Sequence, residues 1–294
     1  MDGRIDLHIH SDRSSDGDFP PSKIISLAKE EGFKAISVAD HDTVAAYPEA
    51  LDRGREAGVE VIPSVELTTV FESREFHLLL PFVDWRSPVL RSLVSDVAER
   101  RRMEAGERVE KLQEMGYDIR WDEVLKASGP FPPLGVTIAQ VVLDKAEKKG
   151  LPGFEKYLTG ESRMFAPYHF YRDHFMEGKP ASVPRRNVEL VDVLKMLAET
   201  GGVPVLAHPG AEFQRVDRKD LVRLKECGLM GIEVYSTYHD DEQKQHYLDL
   251  AEELDLVPTA GSDFHGSIKP HVPFGKVKEG RYWMVEELKK RRTQ

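Results

Sequence analysis

The sequence predicts an α/β protein whose strands are mainly parallel and are joined by helices. Short apolar runs of strand length alternate with longer amphipathic runs over residues 4–82 and again after Asn187. Glycine follows several of the amphipathic runs, as at Gly32 and Gly58, which is typical of helix C-termini. Neighbouring parallel strands need crossover connections, and the intervening helices supply them.

The predicted elements begin with a strand at residues 4–10, where Asp6, His8 and His10 alternate with apolar side chains. Next come a helix from Ser22 to about Glu31, a strand at 34–39, a helix to Ala57, a strand at 59–67 and an extended segment or hairpin from Thr68 to Phe82. The second half continues with a helix from Asn187 to Thr200, a strand at 203–207, a helix from Lys219 to Glu226, a strand at 230–235, a helix from Asp241 to Leu254 and a strand at 256–260.

The middle of the chain interrupts this rhythm. Residues 86–149 favour helices, and a stretch rich in Pro, Gly and aromatic residues follows them. We expect one domain made of residues 1–102 and 187–294, and an inserted, mainly helical capping domain at 103–186. The charged run Arg100–Arg108 is expected to be a solvent-exposed helix face with ion pairs four residues apart.

Composition limits the class of protein. Of the 294 residues, 40% are hydrophobic and 31% are charged, which suits a water-soluble globular fold. The single cysteine, Cys227, excludes an internal disulfide. Neither a signal peptide nor a membrane-length apolar run occurs, so we expect a cytoplasmic protein without a membrane partner. The net charge of −10 argues against a broad nucleic-acid-binding surface.

The first predicted strand carries two side chains of a kind that binds metals. Because strand side chains alternate between faces, His8 and His10 project to the same side. Two imidazoles on one face can form half of a metal site. A pair of surface histidines on an edge strand is the alternative.

Similar side chains stand near the ends of other predicted strands. His41, Glu66, His208, Asp263 and His265 each follow an apolar run. In parallel α/β barrels the carboxyl ends of the strands build the active site. Any one of these histidines is explained more simply as a hydrogen-bonded core residue, but their shared placement favours a metal site.

The full candidate ligand set consists of histidine and carboxylate side chains. Its members are His8, His10, Asp16, His41, Glu66, His77, His208, Asp263 and His265. Such donors suit Mn, Fe and Zn, and they exceed one tetrahedral site, so we expect two or three divalent ions. Ions of this kind activate water and hold phosphate oxygens. The set lacks cysteine, which weakens a structural-zinc interpretation, and no nucleophile elbow points to Ser-His-Asp catalysis.

An ordered series of motifs resembles the PHP family, whose name stands for polymerase and histidinol phosphatase. The motifs are Asp-Leu-His-Ile-His-Ser at 6–11, Ala-Asp-His-Asp-Thr at 39–43, Glu66 with His77, Ala-His-Pro at 207–209 and Gly-Ser-Asp-Phe-His-Gly at 261–266. Within the family the chain is most similar to small bacterial phosphoesterases that act on nucleotides. The resemblance implies a distorted (β/α)7 barrel with a helical inserted domain and a trinuclear metal site.

The same resemblance divides the ligands into three groups. It implies that His8, His10, Glu66 and Asp263 hold the first metal, that Glu66, His77 and His208 hold the second, and that Asp16, His41 and His265 hold the third. The implied activity is metal-dependent hydrolysis of phosphate esters. The implied substrates are AMP, nucleoside 3′,5′-bisphosphates or the 5′ end of short RNA, so the expected partner is a small phosphorylated molecule or a short oligonucleotide.

One departure from the nucleotide-specific group concerns the substrate. That group usually has an Arg-x-His segment in the insertion, where this chain has Gly135-Val136-Thr137. Cyclic phosphodiesters and sugar or histidinol phosphates are therefore alternative substrates. A non-catalytic PHP scaffold module is an alternative of another class, and the complete ligand set argues against it.

Five further residues are candidates for roles around the metals. His239 is a candidate proton donor to the leaving oxygen, and Asp40 is a candidate for orienting an imidazole of the site. Lys269 and His271 follow the last ligand motif and are candidates for substrate binding, as is Arg163 in the insertion.

Overall fold

The computed structural model describes residues 3–184, 186–196 and 201–292. The chain divides into a discontinuous first unit, Met1–Ser95 with Val188–Gln294, and a second unit, Asp96–Asn187. The predicted insertion at 103–186 falls inside the second unit, and its capping role stays a prediction. The end predicted at Thr200 for the helix after Asn187 lies outside the described residues. No helix within these ranges combines the length and the apolar character needed to cross a bilayer.

Strands and helices alternate in the first unit, so the predicted mixed α/β class is confirmed. The strands are β1 (Arg4–Ile9), β2 (Phe33–Val38), β3 (Glu60–Val61), β4 (Glu66–Phe71), β5 (Arg74–Leu79), β6 (Val188–Glu189), β7 (Val205–Leu206), β8 (Gly231–Ser236) and β9 (Val257–Gly261). The α-helices in the described part of both units are α1 (Pro21–Glu30), α2 (Tyr47–Ala57), α3 (Pro88–Glu114), α4 (Trp121–Ser128), α5 (Gly135–Lys149), α6 (Glu155–Leu158), α7 (Ala166–His174), α8 (Leu190–Met196), α9 (Arg218–Glu226), α10 (Asp241–Glu253) and α11 (Tyr282–Arg291).

The strands form two sheets, ordered β1-β2-β3 and β6-β4-β5-β7-β8-β9. Pairing is parallel except where β5 runs antiparallel to both β4 and β7. Isolated bridges join Ile9 to Phe264 and His41 to Glu66. These bridges bring the ends of strands β1, β2 and β9 towards the start of β4, where the candidate ligands stand.

Strand β1 is buried on both faces. Ile5 and Leu7 pack into one apolar cluster with Val203 and Ala260. His8 and His10 are also completely buried, so the interpretation as a surface histidine pair is wrong. A polar face inside the protein must find polar partners, which is the first structural sign of a site.

The region around Glu66 differs from the expected parallel strand. Strand β3 is only two residues long, and Glu66 starts β4 rather than ending a strand at 59–67. Strand β4 then turns back into β5 through Glu72 and Ser73, whose φ values of 49° and 65° form a tight reversal. The hairpin alternative for this segment is therefore correct.

Part of the charged run on α3 is buried, contrary to expectation. Arg108 and Glu104 form an ion pair at 2.5 Å, and each side chain is only 6–7% exposed. The Arg108 guanidinium lies 5.3 Å from the Phe175 ring centroid and 5.8 Å from that of Tyr171. Aromatic packing of the guanidinium explains its burial, and charge spacing alone cannot reveal such packing.

The same aromatic packing leaves no room for a side chain at Gly135. A Cβ atom there would lie 2.5 Å from the Tyr171 ring and 3.3 Å from Arg108 Nη1. We expect Gly135→Arg to lower the free energy of unfolding by ~1–3 kcal/mol through overpacking, measured by chemical denaturation. The partly exposed neighbour Thr137 provides the control, because Thr137→His should change it by less than ~0.5 kcal/mol. Equal stability of both variants would contradict this account of the Arg-x-His departure.

Candidate metal centre

The carboxylate of Glu66 lies at the centre of five imidazole rings. Its Oε1 is 2.9 Å from His77 Nδ1 and 3.1 Å from His208 Nε2. Its Oε2 faces three more ring nitrogens, His8 Nε2 at 3.2 Å, His10 Nε2 at 3.1 Å and His41 Nδ1 at 3.2 Å. Glu66 is completely buried. This arrangement is the one expected of a carboxylate that bridges metal ions.

Backbone pairing fixes the position of Glu66. Its N–H donates to Asp40 O at 3.2 Å, and its carbonyl accepts from Asp42 N–H at 2.9 Å. Strand β5 then carries His77 back beside it, since His77 pairs with Thr68 across the hairpin. His77 therefore reaches the site from the middle of an antiparallel strand.

A second convergence involves His8, His10, Glu66 and Asp263, whose ligand atoms lie within 4.8 Å of one another. His8 Nε2 and His10 Nε2 are 3.2 Å apart. Asp263 Oδ1 is 3.3 Å from the first and 3.0 Å from the second. This group has the same members as the set implied for the first metal.

The other implied sets appear with small changes. Asp16, His41 and His265 converge together with His10, and Asp16 Oδ2 is 3.4 Å from His41 Nε2 and 3.3 Å from His265 Nε2. Glu66 and His77 group with His41, while His208 borders them through its contact with Glu66. The structure thus brings all the predicted ligands to one place.

The donor set fits divalent cations. Among the described residues, four buried atoms of this cluster make no hydrogen bond, namely His10 Nδ1, His41 Nδ1, Glu66 Oε2 and His208 Nδ1. Burial would raise the pKa of Glu66, but the His41, His8 and His77 rings outweigh it and hold that pKa well below its usual range. A buried carboxylate surrounded by ring nitrogens, some of them without hydrogen bonds, is suited to binding cations. Mn, Fe and Zn are the metals that accept such a mixture of nitrogen and oxygen ligands.

Glu233 is a site residue that sequence reasoning missed. It lies in the middle of β8 and is completely buried. Its Oε1 is 3.0 Å from His8 Nδ1, and its Oε2 accepts from His208 N–H at 2.9 Å. A Cβ at Gly261 would lie 2.1 Å from Oε1, so glycine is needed on the neighbouring strand. The available signal was an acidic residue inside an apolar strand.

The two oxygens of Asp263 have separate partners. Oδ1 faces the imidazoles, whereas Oδ2 lies 2.7 Å from Lys269 Nζ and accepts from the Tyr238 hydroxyl at 2.8 Å. Lys269 is therefore beside the ligand cluster, as its position in the sequence suggested. His271 is exposed, and Arg163 pairs with Glu147 at 2.6 Å in the second unit. Substrate binding by these three residues stays a prediction.

His239 does not have the surroundings of a proton donor. Its Nε2 accepts from Gly210 N–H at 2.9 Å, so its Nδ1 carries the proton and donates to Val234 O at 2.8 Å. Burial lowers the pKa of His239, which further favours the neutral ring. The geometry thus contradicts the proton-donor interpretation, and His239 instead supports the loop that follows His208.

Asp40 holds a loop, and among the described residues it forms no hydrogen bond with an imidazole. Its two oxygens accept from Ser11 N–H at 2.6 Å and from the Ser11 hydroxyl at 2.7 Å. Burial raises the pKa of Asp40 to about 6. Asp40 therefore fixes the start of the loop that delivers Asp16. The His10 ring acts on this carboxylate electrostatically, and a role of Asp40 in orienting an imidazole stays a prediction.

Three residues at the centre adopt left-handed backbone conformations although none is glycine. The φ angles are 52° for Asp42, 24° for His208 and 54° for Asp263. Hydrogen bonds hold these segments, including Asp263 N–H to His8 O at 2.8 Å and Thr68 N–H to Asp42 Oδ1 at 2.8 Å. Such conformations concentrate at functional sites.

Comparison with known proteins agrees with this geometry. A PHP domain model matches residues 6–117. The chain is 31% identical over 275 residues to a phosphoribosyl 1,2-cyclic phosphate 1,2-diphosphodiesterase of Eggerthella lenta, covering 92% of this chain and 97% of that protein. It is 27% identical to a 5′-3′ exoribonuclease of Haemophilus influenzae, over 90% of this chain and 91% of that protein. A crystal structure from Bifidobacterium adolescentis, assigned to the metal-dependent phosphoesterases, matches with a TM-score of 0.82 at 26% identity, covering 99% of this chain and 96% of that one.

The chain therefore belongs to the PHP family. Its relatives of similar length are phosphoester hydrolases, so the predicted enzyme class, metal-dependent hydrolysis of phosphate esters, is confirmed. The non-catalytic scaffold alternative is set aside.

Proposed function

We propose that this enzyme hydrolyses a small cyclic phosphate ester of a phosphorylated pentose, using three divalent ions drawn from Mn, Fe and Zn. The convergence of five imidazoles on the Glu66 carboxylate is the observation that carries the metal-dependent part. The proposed ligands are the nine residues predicted from the sequence. When bound, the ions would lower the pKa of a water molecule and polarise the phosphoryl oxygens.

The chain's own residues would prepare the donor atoms. Glu233 accepts from His8 Nδ1 and so leaves His8 Nε2 unprotonated towards the cluster. His265 donates from Nδ1 to Asp263 O at 2.8 Å, which leaves its Nε2 facing Asp16. Ser14 donates to Asp16 Oδ1 at 2.8 Å and keeps Oδ2 towards the two imidazoles. The first two contacts each fix the tautomer of a histidine, and the third fixes which oxygen of Asp16 faces the imidazoles.

Two observations support a cyclic sugar phosphate over a nucleotide. Gly135 is packed against Tyr171, so the arginine typical of the nucleotide-specific group has no place there. The Eggerthella lenta relative, whose name specifies a phosphoribosyl cyclic phosphate, is matched over nearly its whole length. AMP, nucleoside 3′,5′-bisphosphates and short RNA remain the substrates to compare.

A substrate panel tests this proposal. Protein loaded with Mn²⁺ would be assayed on 5-phosphoribosyl 1,2-cyclic phosphate, a nucleoside 3′,5′-bisphosphate, AMP and a short 5′-phosphorylated RNA. We expect the highest kcat/KM on the cyclic phosphate. A higher kcat/KM on AMP or on the RNA would overturn the substrate assignment and leave the enzyme class unaffected.

We also propose that the two sheets are parts of one distorted (β/α)7 barrel and that the enzyme works in the cytoplasm. The bridges from Ile9 to Phe264 and from His41 to Glu66 support the barrel, because they join strands of the two sheets or their continuations. The single cysteine supports a reducing compartment.

The hydrogen bonding of His239 gives a direct kinetic prediction. We expect His239→Ala to lower kcat/KM by the same factor on p-nitrophenyl phosphate and on an alkyl phosphate, because loss of loop support affects both substrates. A general acid would instead make the loss roughly 10²–10⁴-fold greater for the alcohol leaving group. Such a difference would restore the proton-donor role and contradict the loop-support assignment.

A further inference from the structure

A cavity of about 640 Å³ adjoins the candidate metal centre within the first unit. Tyr238 lines it, and the Tyr238 hydroxyl donates to the proposed ligand Asp263. Gly210 also lines it, two residues after the proposed ligand His208. The volume falls within the range of small-molecule sites. A substrate whose reacting phosphate lies at the metals could therefore extend into this cavity.

Arg215 gives the cavity a positive charge that is not neutralised by a contact. Its exposed side chain forms no hydrogen bond or ion pair with the residues in the described ranges. Its backbone is nevertheless fixed, since its N–H donates to Ala211 O at 3.0 Å and its carbonyl accepts from Arg74 at 3.3 Å. A guanidinium on a fixed backbone suits bidentate recognition of a phosphate.

Gln243 supplies further donors to the same space. Its Oε1 accepts from Asp240 N–H at 3.1 Å in the capping box of α10, which assigns the NH₂ group to the other end of the amide. If residue 210 had a Cβ atom, that atom would lie 2.9 Å from Gln243 Nε2. Because residue 210 is glycine, the Gln243 NH₂ group stays accessible from the cavity. Arg215 and Gln243 thus present N–H donors to one cavity.

The remaining lining residues suit the sugar rather than the phosphate. The exposed Glu212 carboxylate can accept from sugar hydroxyls, and the Tyr238 ring offers an apolar face. Asp217 is engaged elsewhere, because its carboxylate accepts from Asp220 N–H at 2.9 Å as the N-cap of α9. The wall therefore carries one arginine without a side-chain contact among the described residues, one carboxylate engaged at the start of α9 and one exposed carboxylate, and these groups match the phosphate and the hydroxyls of a phosphorylated polyol.

We propose that this cavity binds the non-reacting end of the substrate, a sugar 5-phosphate, with Arg215 and Gln243 on the phosphate and Glu212 on the hydroxyls. This assignment rests on the proposed function and extends it. In this assignment Arg215, on the loop after His208, supplies the cationic phosphate contact that the nucleotide-specific group obtains from the arginine replaced here by Gly135.

Binding of ribose 5-phosphate to the metal-free full-length protein tests the cavity without relying on turnover. Calorimetry should show binding to the unaltered protein, and Arg215→Ala should weaken it by about 10-fold or more through loss of a charge-assisted contact. Gln243→Glu keeps the Asp240 contact and replaces the donors with an anion, so it should also weaken binding. Arg218→Ala, which removes a nearby arginine paired with Glu253, should leave binding unchanged.

Two results would overturn the proposal. One is an absence of ribose 5-phosphate binding to the unaltered protein, and the other is unchanged affinity in both Arg215→Ala and Gln243→Glu. Inorganic phosphate and ribose alone should each bind more weakly than ribose 5-phosphate, since each engages only part of the cavity. Failure of the proposed function would look different, because the cyclic phosphate would resist hydrolysis while ribose 5-phosphate still bound.

Discussion

Glu66→Ala and Glu66→Gln should each lower kcat/KM by roughly 1000-fold or more and reduce the bound metal. The expected loss exceeds the 10–100-fold typical of an outer-shell partner, because Glu66 faces five imidazoles with both of its oxygens. Glutamine preserves the shape of the side chain but has only one oxygen. Metal content would be measured by elemental analysis and activity with a generic phosphomonoester.

Glu60→Ala is the matched control for this experiment. Glu60 lies on β3, just before Glu66 in the chain, but it pairs with Tyr282 and Lys289. Its loss should leave the metal content intact. Unchanged metal content and activity in Glu66→Ala would refute the central position assigned to this carboxylate.

Glu233→Gln should lower metal affinity by roughly 10–100-fold, the range typical for outer-shell carboxylates. Glutamine keeps one oxygen and replaces the other with a donor, so the contacts to His8 Nδ1 and to His208 N–H cannot both survive. If the oxygen facing His8 is lost, the tautomer of His8 is no longer fixed. If the oxygen facing His208 N–H is lost, the loop that carries His208 is held less firmly. Competition with a metal chelator would give the affinity.

The conservative test of Glu233 separates charge from position. Glu233→Asp retains the charge but shortens the side chain, so we expect it to lose affinity as well. If Glu233→Asp bound metal like the unaltered protein, the carboxylate would act mainly through charge, and the positioning role would be wrong.

Several of the proposed ligands could be predicted from the sequence because local patterns mark them. Period-two alternation placed His8 and His10 on one side of a strand, and apolar runs ending at His208 and Asp263 marked strand ends. The exception is instructive, since Glu66 begins a strand after a two-residue β3 and reaches the same cluster through the bridge to His41. A continuous hydrophobic run does not show that the strand is interrupted between Val61 and Glu66.

The supporting residues could not be predicted, because their roles depend on contacts between distant segments. Glu233 reaches back 225 residues to His8, and no local pattern encodes that pairing. Spacing suggested an exposed Arg108, yet aromatic rings from α7 and its end cover it. The sequence made His239 a candidate proton donor, and only its two hydrogen bonds, to Gly210 N–H and Val234 O, indicate a supporting role instead.

The left-handed conformations of Asp42, His208 and Asp263 have a consequence for how the enzyme acquires its ions. Each non-glycine residue in this region costs roughly 1–3 kcal/mol, so surrounding contacts, or cations bound by the proposed ligands, must offset that cost. Stability and activity are therefore in conflict at these positions, because glycine in place of His208 or Asp263 would relax the backbone but remove a proposed ligand. Cations that bind only the folded chain offset this local cost and link metal supply to the lifetime of the fold.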